Sequence, residues 1–109
     1  MTQLHKIKLE LRRGQLVLAT LAALTEEHYG YSLRKTLAAH GIDIDEGTLY
    51  PMIRRLETNG LLTSEWRMEG ARKKRFYQLS DEGRQILSEL TAEWQTITQS
   101  INDLLEKTS

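Results

Sequence analysis

The chain has 109 residues and a mass of 12.6 kDa, enough for one domain with a modest core. Fifteen basic and fifteen acidic side chains cancel, which excludes a charge-saturated polyelectrolyte binder, and 39% hydrophobic residues with one proline exclude a disordered linker. Cysteine is absent, which removes disulfides, thiolate catalysis and zinc fingers together.

No apolar run approaches the ~18 residues a membrane span needs, and Met1-Thr2-Gln3-Leu4-His5-Lys6 has no apolar signal core. The expectation is a cytoplasmic protein with no membrane partner. The zero net charge hides an asymmetry. Residues 1–79 carry 13 basic and 9 acidic side chains, whereas residues 80–109 carry 2 and 6. The basic surplus concentrates at Arg72-Lys73-Lys74-Arg75.

In chain order, the nearly all-apolar run from Leu16 to Leu24 predicts a first helix buried on most faces, with Gly14 near its start. Tyr29-Gly30-Tyr31 interrupts the pattern. Leu33 and Leu37 then mark one face of a short second helix that ends at His40-Gly41, with Gly41 at the C′ position. A third helix follows Asp45, with Leu49, Met52, Ile53 and Leu56 inward and Asn59-Gly60 closing it. Pro51 is tolerated cheaply only in a first turn, which favours a start near Thr48; Asp45 and Thr48 both qualify as the cap. Leu61–Met68 is strand-like, Glu69-Gly70-Ala71 a turn and Arg75–Leu79 the return strand. Ser80 caps a last helix with Asp81 and Glu82 in its first turn. Three helices, a hairpin and a long helix predict a mainly α winged helix-turn-helix with a minor β component. Residues 9–80 form the DNA-binding part and 81–109 a C-terminal dimerisation helix, in one compact unit.

The outward face of the third helix carries Tyr50, Pro51, Arg54, Arg55 and Thr58, with Thr48 on the flank. Arginine forks onto guanine edges or neutralises phosphate, so this is the predicted reading face, although a pair of solvated arginines is the plainer account of Arg54 and Arg55. The hairpin tip carries Arg67, Arg72, Lys73, Lys74 and Arg75 against Glu69. Cations so crowded are relieved by a phosphate backbone, although a solubilising turn explains them too. Ser32, on the second helix, completes the set of expected contacts with double-stranded DNA.

In the last helix Leu90, Trp94, Ile97, Ile101 and Leu104 step by 4, 3, 4 and 3, a heptad-like seam widened by Ile86, Leu87 and Leu105. From Arg84 to Lys107 the helix is about 36 Å long, more than the roughly 26 Å width of such a domain. The overhanging stripe predicts a homodimer, with Leu9 and Leu16 of the first helix as its grip; the alternative is a helix folded back on its own domain. Two-fold-related reading helices would then meet successive major grooves about 34 Å apart on a near-palindromic site. His5, His28 and His40 are scattered, and loop polarity and capping account for Asp43, Asp45 and Glu46 more simply than a cation site. No enzymatic activity and no cofactor are expected. A protein–protein interaction module without specific DNA binding is the alternative.

Several segments resemble the PadR-like transcriptional regulators over about residues 9 to 98: Arg12-Arg13-Gly14-Gln15-Leu16, Tyr29-Gly30-Tyr31, Gly47-Thr48-Leu49-Tyr50-Pro51, Arg55-Leu56-Glu57, Gly60-Leu61-Leu62, Trp66 and Arg75-Phe76-Tyr77-Gln78-Leu79. The resemblance implies a bacterial winged helix-turn-helix dimer, usually a repressor, whose third helix and wing bind operator DNA. It is to the short branch, with a single C-terminal helix. By position, Thr48, Tyr50 and Pro51 match the family's reading-helix signature and the basic residues before Phe76-Tyr77 match its wing. Trp94 matches a tryptophan of the final helix that in some short members faces its two-fold mate and sandwiches flat aromatic drugs. A planar aromatic effector at Trp94 is therefore implied, alongside the simpler role of a dimer anchor. Ser80 stands where the family commonly has Thr, and Phe76 where Tyr is frequent.

Overall fold

The computed structural model describes residues 2–108. Helix α1 (Gln3–Ala23) is capped by Thr2, whose hydroxyl accepts from the His5 amide at 3.1 Å. The helix runs straight through Gly14, so the expected start near that residue is wrong. The polar stretch before it is rich in Leu, Lys, Glu and Arg, all good helix formers, and one internal glycine costs only about 1 kcal/mol against alanine. Burial is also narrower than expected: within α1 only Thr20 and Leu21 are fully inside, while Leu16 to Ala19 are half-buried.

Helix α2 (Gly30–Ala39) begins inside the Tyr29-Gly30-Tyr31 segment and closes at His40, with Gly41 at φ +81° in the left-handed C′ position. Helix α3 (Glu46–Thr58) is capped by Asp45, whose carboxylate accepts from the Thr48 amide at 2.8 Å. The cap settles the choice between Asp45 and Thr48, and it moves the start two residues ahead of what Pro51 favours. Pro51 therefore lies beyond the first turn and has no N–H to offer the Gly47 carbonyl. Burial of Leu49, Met52, Ile53 and Leu56 outweighs that loss.

Strands β1 (Leu62–Glu69) and β2 (Arg72–Leu79) pair antiparallel from Leu62–Leu79 out to Glu69–Arg72. Their loop is Gly70-Ala71. Gly70 has φ +64° and Ala71 does not share the positive sign, the pattern of a type II′ turn. Because the loop is only two residues long, Arg72, Lys73 and Lys74 lie in the strand and not in the turn where the sequence pattern put them. His28 pairs with Tyr77 through two backbone hydrogen bonds of 3.0 and 2.8 Å, tying the α1–α2 loop to the hairpin's edge. The core gathers Leu21, Leu24, Leu33, Leu49 and Ile53, closed by Leu62, Tyr77 and Leu79 from the base of the hairpin.

Helix α4 (Asp81–Thr108) is capped as expected by Ser80, whose hydroxyl accepts from the Gly83 amide at 3.0 Å and donates to the Gly60 carbonyl at 2.6 Å. Leu87 still packs on the core. Beyond it the helix leaves the domain, with Leu90, Trp94, Ile97, Ile101 and Leu104 all exposed and Leu104 at 63%. The radius of gyration is 16.2 Å and the molecule measures 57 × 35 × 23 Å, against about 13 Å for a compact chain of this length. The overhang predicted from the seam's length is present.

Candidate nucleic-acid interface

The α3 face opposite the core carries Arg54 and Arg55, both exposed, together with exposed Thr48 and Pro51. Tyr50 is different. It is half-buried against the core cluster, and its ring lies over the first residue of α2. A Cβ at Gly30 would sit 2.2 Å from the Tyr50 hydroxyl oxygen, so only glycine leaves room there. The hydroxyl edge of Tyr50 still lines a cleft of about 250 Å³ between α3 and the hairpin, shared with Tyr29, Arg54, Trp66, Lys74 and Arg75. One concave surface thus joins the reading helix to the wing.

Strand alternation sorts the wing cations by face. The register places Ser64, Trp66 and Met68 opposite Tyr77, Arg75 and Lys73 on one face, and Glu65, Arg67 and Glu69 opposite Phe76, Lys74 and Arg72 on the other. Acidic partners relieve three of the five cations, contrary to the crowded, unrelieved tip expected from the sequence. Lys74 pairs with Glu69 at 2.9 Å and lies 4.2 Å from the Tyr29 ring centre. The Glu69 hydrogen bond is the main reason its ammonium pKa is raised. Arg67 pairs with Glu27 and stacks 3.9 Å over Phe76. Arg75 pairs with Glu57 at 2.9 Å. Among the described residues, Arg54, Arg55, Arg72 and Lys73 have no acidic partner. Lys73 sits 5.6 Å from the Trp66 ring centre.

Ser32 has its hydroxyl engaged locally: it accepts from the Tyr29 amide at 3.1 Å, donates to the Tyr29 carbonyl at 3.0 Å, and lies 3.0 Å from His28 Nδ1. Its role in the structure is to hold the start of α2. The acidic residues before α3 are likewise engaged. Hydrogen bonds from Thr48, side chain first and then amide, hold the Asp45 carboxyl below the ordinary carboxylate range, and Glu46 pairs with Arg34 at 3.0 Å. Burial pushes the Tyr77 phenol up, so it faces the wing base as a neutral group.

The seam on α4 divides in two. Leu90, Trp94 and Ile97 line a groove of about 300 Å³ with Leu11, Gly14, Val17 and Leu18 of α1. Leu9 and Leu16 lie elsewhere on α1, lining a groove with Gly41, Ile42 and Asp43, and Leu16 and Leu87 are partly buried in the chain's own core. The stripe of α1 that accompanies Trp94 therefore passes through Leu11, and its continuation Leu4 and Ile7 is exposed.

Trp66, Gly30 and Glu57 are the residues that sequence reading left out of the site. Alternation from a two-residue loop would have placed Trp66 beside Lys73 and Arg75. Nothing in the sequence brings Glu57 to the wing.

Helices α2 and α3 followed by a two-stranded wing define a winged helix-turn-helix protein. The family model described as "Transcriptional regulator PadR-like family" matches residues 17–89, more than half of the chain. The chain belongs to the PadR-like family of transcriptional regulators. It is similar to the transcriptional regulator Rv3488 of Mycobacterium tuberculosis, 42% identical over 67 residues that cover 62% of this chain and 63% of that one. The chain thus spans just under two thirds of that relative's length. The crystal structure of a PadR family transcriptional regulator from Eggerthella lenta superposes with a TM-score of 0.89 at 47% identity, covering 94% of this chain and 92% of that one. A PadR-like regulator from Bacillus cereus superposes at 0.80 with 28% identity over 88% and 96%. Among the described residues no helix is long and apolar enough to cross a membrane.

Proposed function

We propose that the protein is a homodimeric, sequence-specific DNA-binding repressor that grips a near-palindromic operator through α3 and the wing. The observation that carries this reading is the cleft between them: Arg54 and Trp66 line one surface, and the cations without acidic partners (Arg54, Arg55, Arg72, Lys73) flank it. Arg54 and Tyr50 supply base and phosphate contacts, while Arg72 and Lys73 hold the backbone of the adjacent groove. Dimerisation is supported by the exposed seam from Leu90 to Leu104 and sets two reading helices about 34 Å apart. Trp94, with its groove to α1, is the proposed seat for a planar aromatic effector that releases the operator.

The test is to sequence the chromosomal fragments that the protein retains and titrate the strongest at several salt concentrations. With three to five phosphates neutralised per half, log affinity falls against log salt with a slope of roughly −5 to −9. Arg54→Ala weakens the selected site far more than random DNA, whereas Lys73→Ala weakens both alike and flattens the slope by about one. Retention of no fragment at moderate salt would overturn the reading and favour a protein partner.

A further inference from the structure

The geometry points to Glu57, Ser64 and Arg75 as a clamp that sets the angle of the wing against the reading helix, which makes Arg75 a positioning residue and not a phosphate contact. The inference rests on the DNA-binding reading above and deepens it. The three side chains come one each from the last turn of α3, from β1 and from β2. Arg75 donates through Nε to the Ser64 hydroxyl at 2.9 Å and through a terminal nitrogen to Glu57 Oε1 at 2.9 Å. Ser64 in turn donates to Glu57 Oε2, which closes a three-cornered ring. The guanidinium also lies 5.5 Å from the Tyr77 ring centre and 5.6 Å from that of Trp66. Most of its fixed fork of donors is therefore directed at protein.

The ring sits where a hinge would otherwise be. Inward of it, Leu62, Tyr77 and Leu79 anchor the hairpin in the core; outward, every residue from Glu65 to Lys73 is exposed. A hairpin projecting from its base is free to swing unless something ties it laterally. On this face the tie to α3 is the Glu57 ring, and on the opposite face Arg67 ties the hairpin to Glu27. A half-site read by α3 and wing together needs both to meet one duplex in register, so loosening the wing lowers affinity for the selected site without removing a charge from the DNA surface.

Glu57→Gln separates the two roles because they predict opposite signs. Deleting a carboxylate near DNA relieves repulsion and frees Arg75, so a contact role predicts equal or tighter binding. The clamp predicts about tenfold weaker binding to the selected site, within the range for coupled contacts, with the salt slope kept and random-DNA binding unweakened. Arg75→Gln shows the same loss, and the double variant loses no more than either single one. Ser64→Ala, which changes no charge and removes little volume, gives a smaller loss and guards against misfolding of the other two. A DNA-free measurement separates failure of the clamp from failure of the DNA reading. Amides from Glu65 to Lys73 exchange hydrogen faster in Glu57→Gln while the α3 amides do not. Unchanged wing exchange, binding by Glu57→Gln equal to or tighter than wild type, or a salt slope reduced by about one in Arg75→Gln would each overturn the assignment.

Discussion

Tyr50 owes its position to the missing side chain at Gly30. A methyl group there would collide with the hydroxyl and two ring carbons at 2.2 to 2.7 Å, and the ring, being the movable partner, would swing out of the cleft. Gly30 opens a helix, where alanine is favoured by up to about 1 kcal/mol, so Gly30→Ala separates fold from function. The melting temperature holds or rises, while affinity for the selected site drops by about 1–3 kcal/mol, the worth of a specific contact. Calorimetry and fluorescence anisotropy on one preparation read both effects, and a lost melting transition would refute the account. Asp45 makes a pH-dependent contribution. Its carboxyl titrates below the ordinary range because Thr48 hydrogen-bonds the charged form. A lowered folded value means that the stabilisation is complete above the unfolded-state pKa and disappears as pH falls through the depressed one. Asp45→Ala therefore melts below wild type at neutral pH, and the gap closes on acidification. A gap that persists below pH 3 would mean the cap acts without its charge.

Helix α4 joins the domain through a contact that leaves no room. At Gly83 an added Cβ would sit 2.0 Å from the Leu61 carbonyl oxygen. Backbone cannot rotate aside as the Tyr50 ring can, so Gly83→Ala forces α4 off the hairpin base and destabilises by the 1–3 kcal/mol or more of an overpacked site. A melting point lowered by several degrees is the expected reading, and an unchanged one would show that the helix already has slack there. Elements differ in how far the sequence betrays them. The inward face of α3 was legible because Leu49, Met52, Ile53 and Leu56 repeat at helical spacing and are buried. So were the Ser80 cap and the overhang of α4, both set by local chemistry or plain length. The first half of α1 was not legible: it is exposed from Thr2 to Gly14, so no burial pattern marks it, and helix propensity alone extends it to Gln3. The wing's ion pairs escaped for another reason. Glu27 and Glu57 lie 40 and 18 residues from their partners Arg67 and Arg75, a proximity that only the tertiary fold creates.

The charge asymmetry found in the sequence becomes spatial in the whole molecule. The exposed arm of α1 carries Lys6, Lys8, Arg12 and Arg13 against Glu10, and the overhanging part of α4 carries Glu89, Glu93, Asp103 and Glu106 against Lys107. Both present apolar side chains as well, Leu4, Ile7 and Leu11 on the arm and Trp94 to Leu105 on α4. A basic apolar arm and an acidic apolar rod from two copies are complementary in both respects, and each copy offers both, as a closed two-fold interface requires. Ile101 is the residue on which to test this. It is 46% exposed in the isolated chain and lies beyond the α1 groove that lines Leu90, Trp94 and Ile97, so a charge there leaves the protomer's fold intact. Ile101→Glu buries an unpaired carboxylate in any dimer, costs several kcal/mol there and yields monomers by sedimentation at micromolar concentration, with the melting curve of the domain retained. Each monomer still carries one reading helix and one wing. Its DNA affinity falls by orders of magnitude, and its salt slope drops to about half the dimer's, because half the phosphates are neutralised. A variant that stays dimeric would place the interface elsewhere on the molecule, and a monomeric variant with an undiminished slope would mean that one subunit alone makes every phosphate contact.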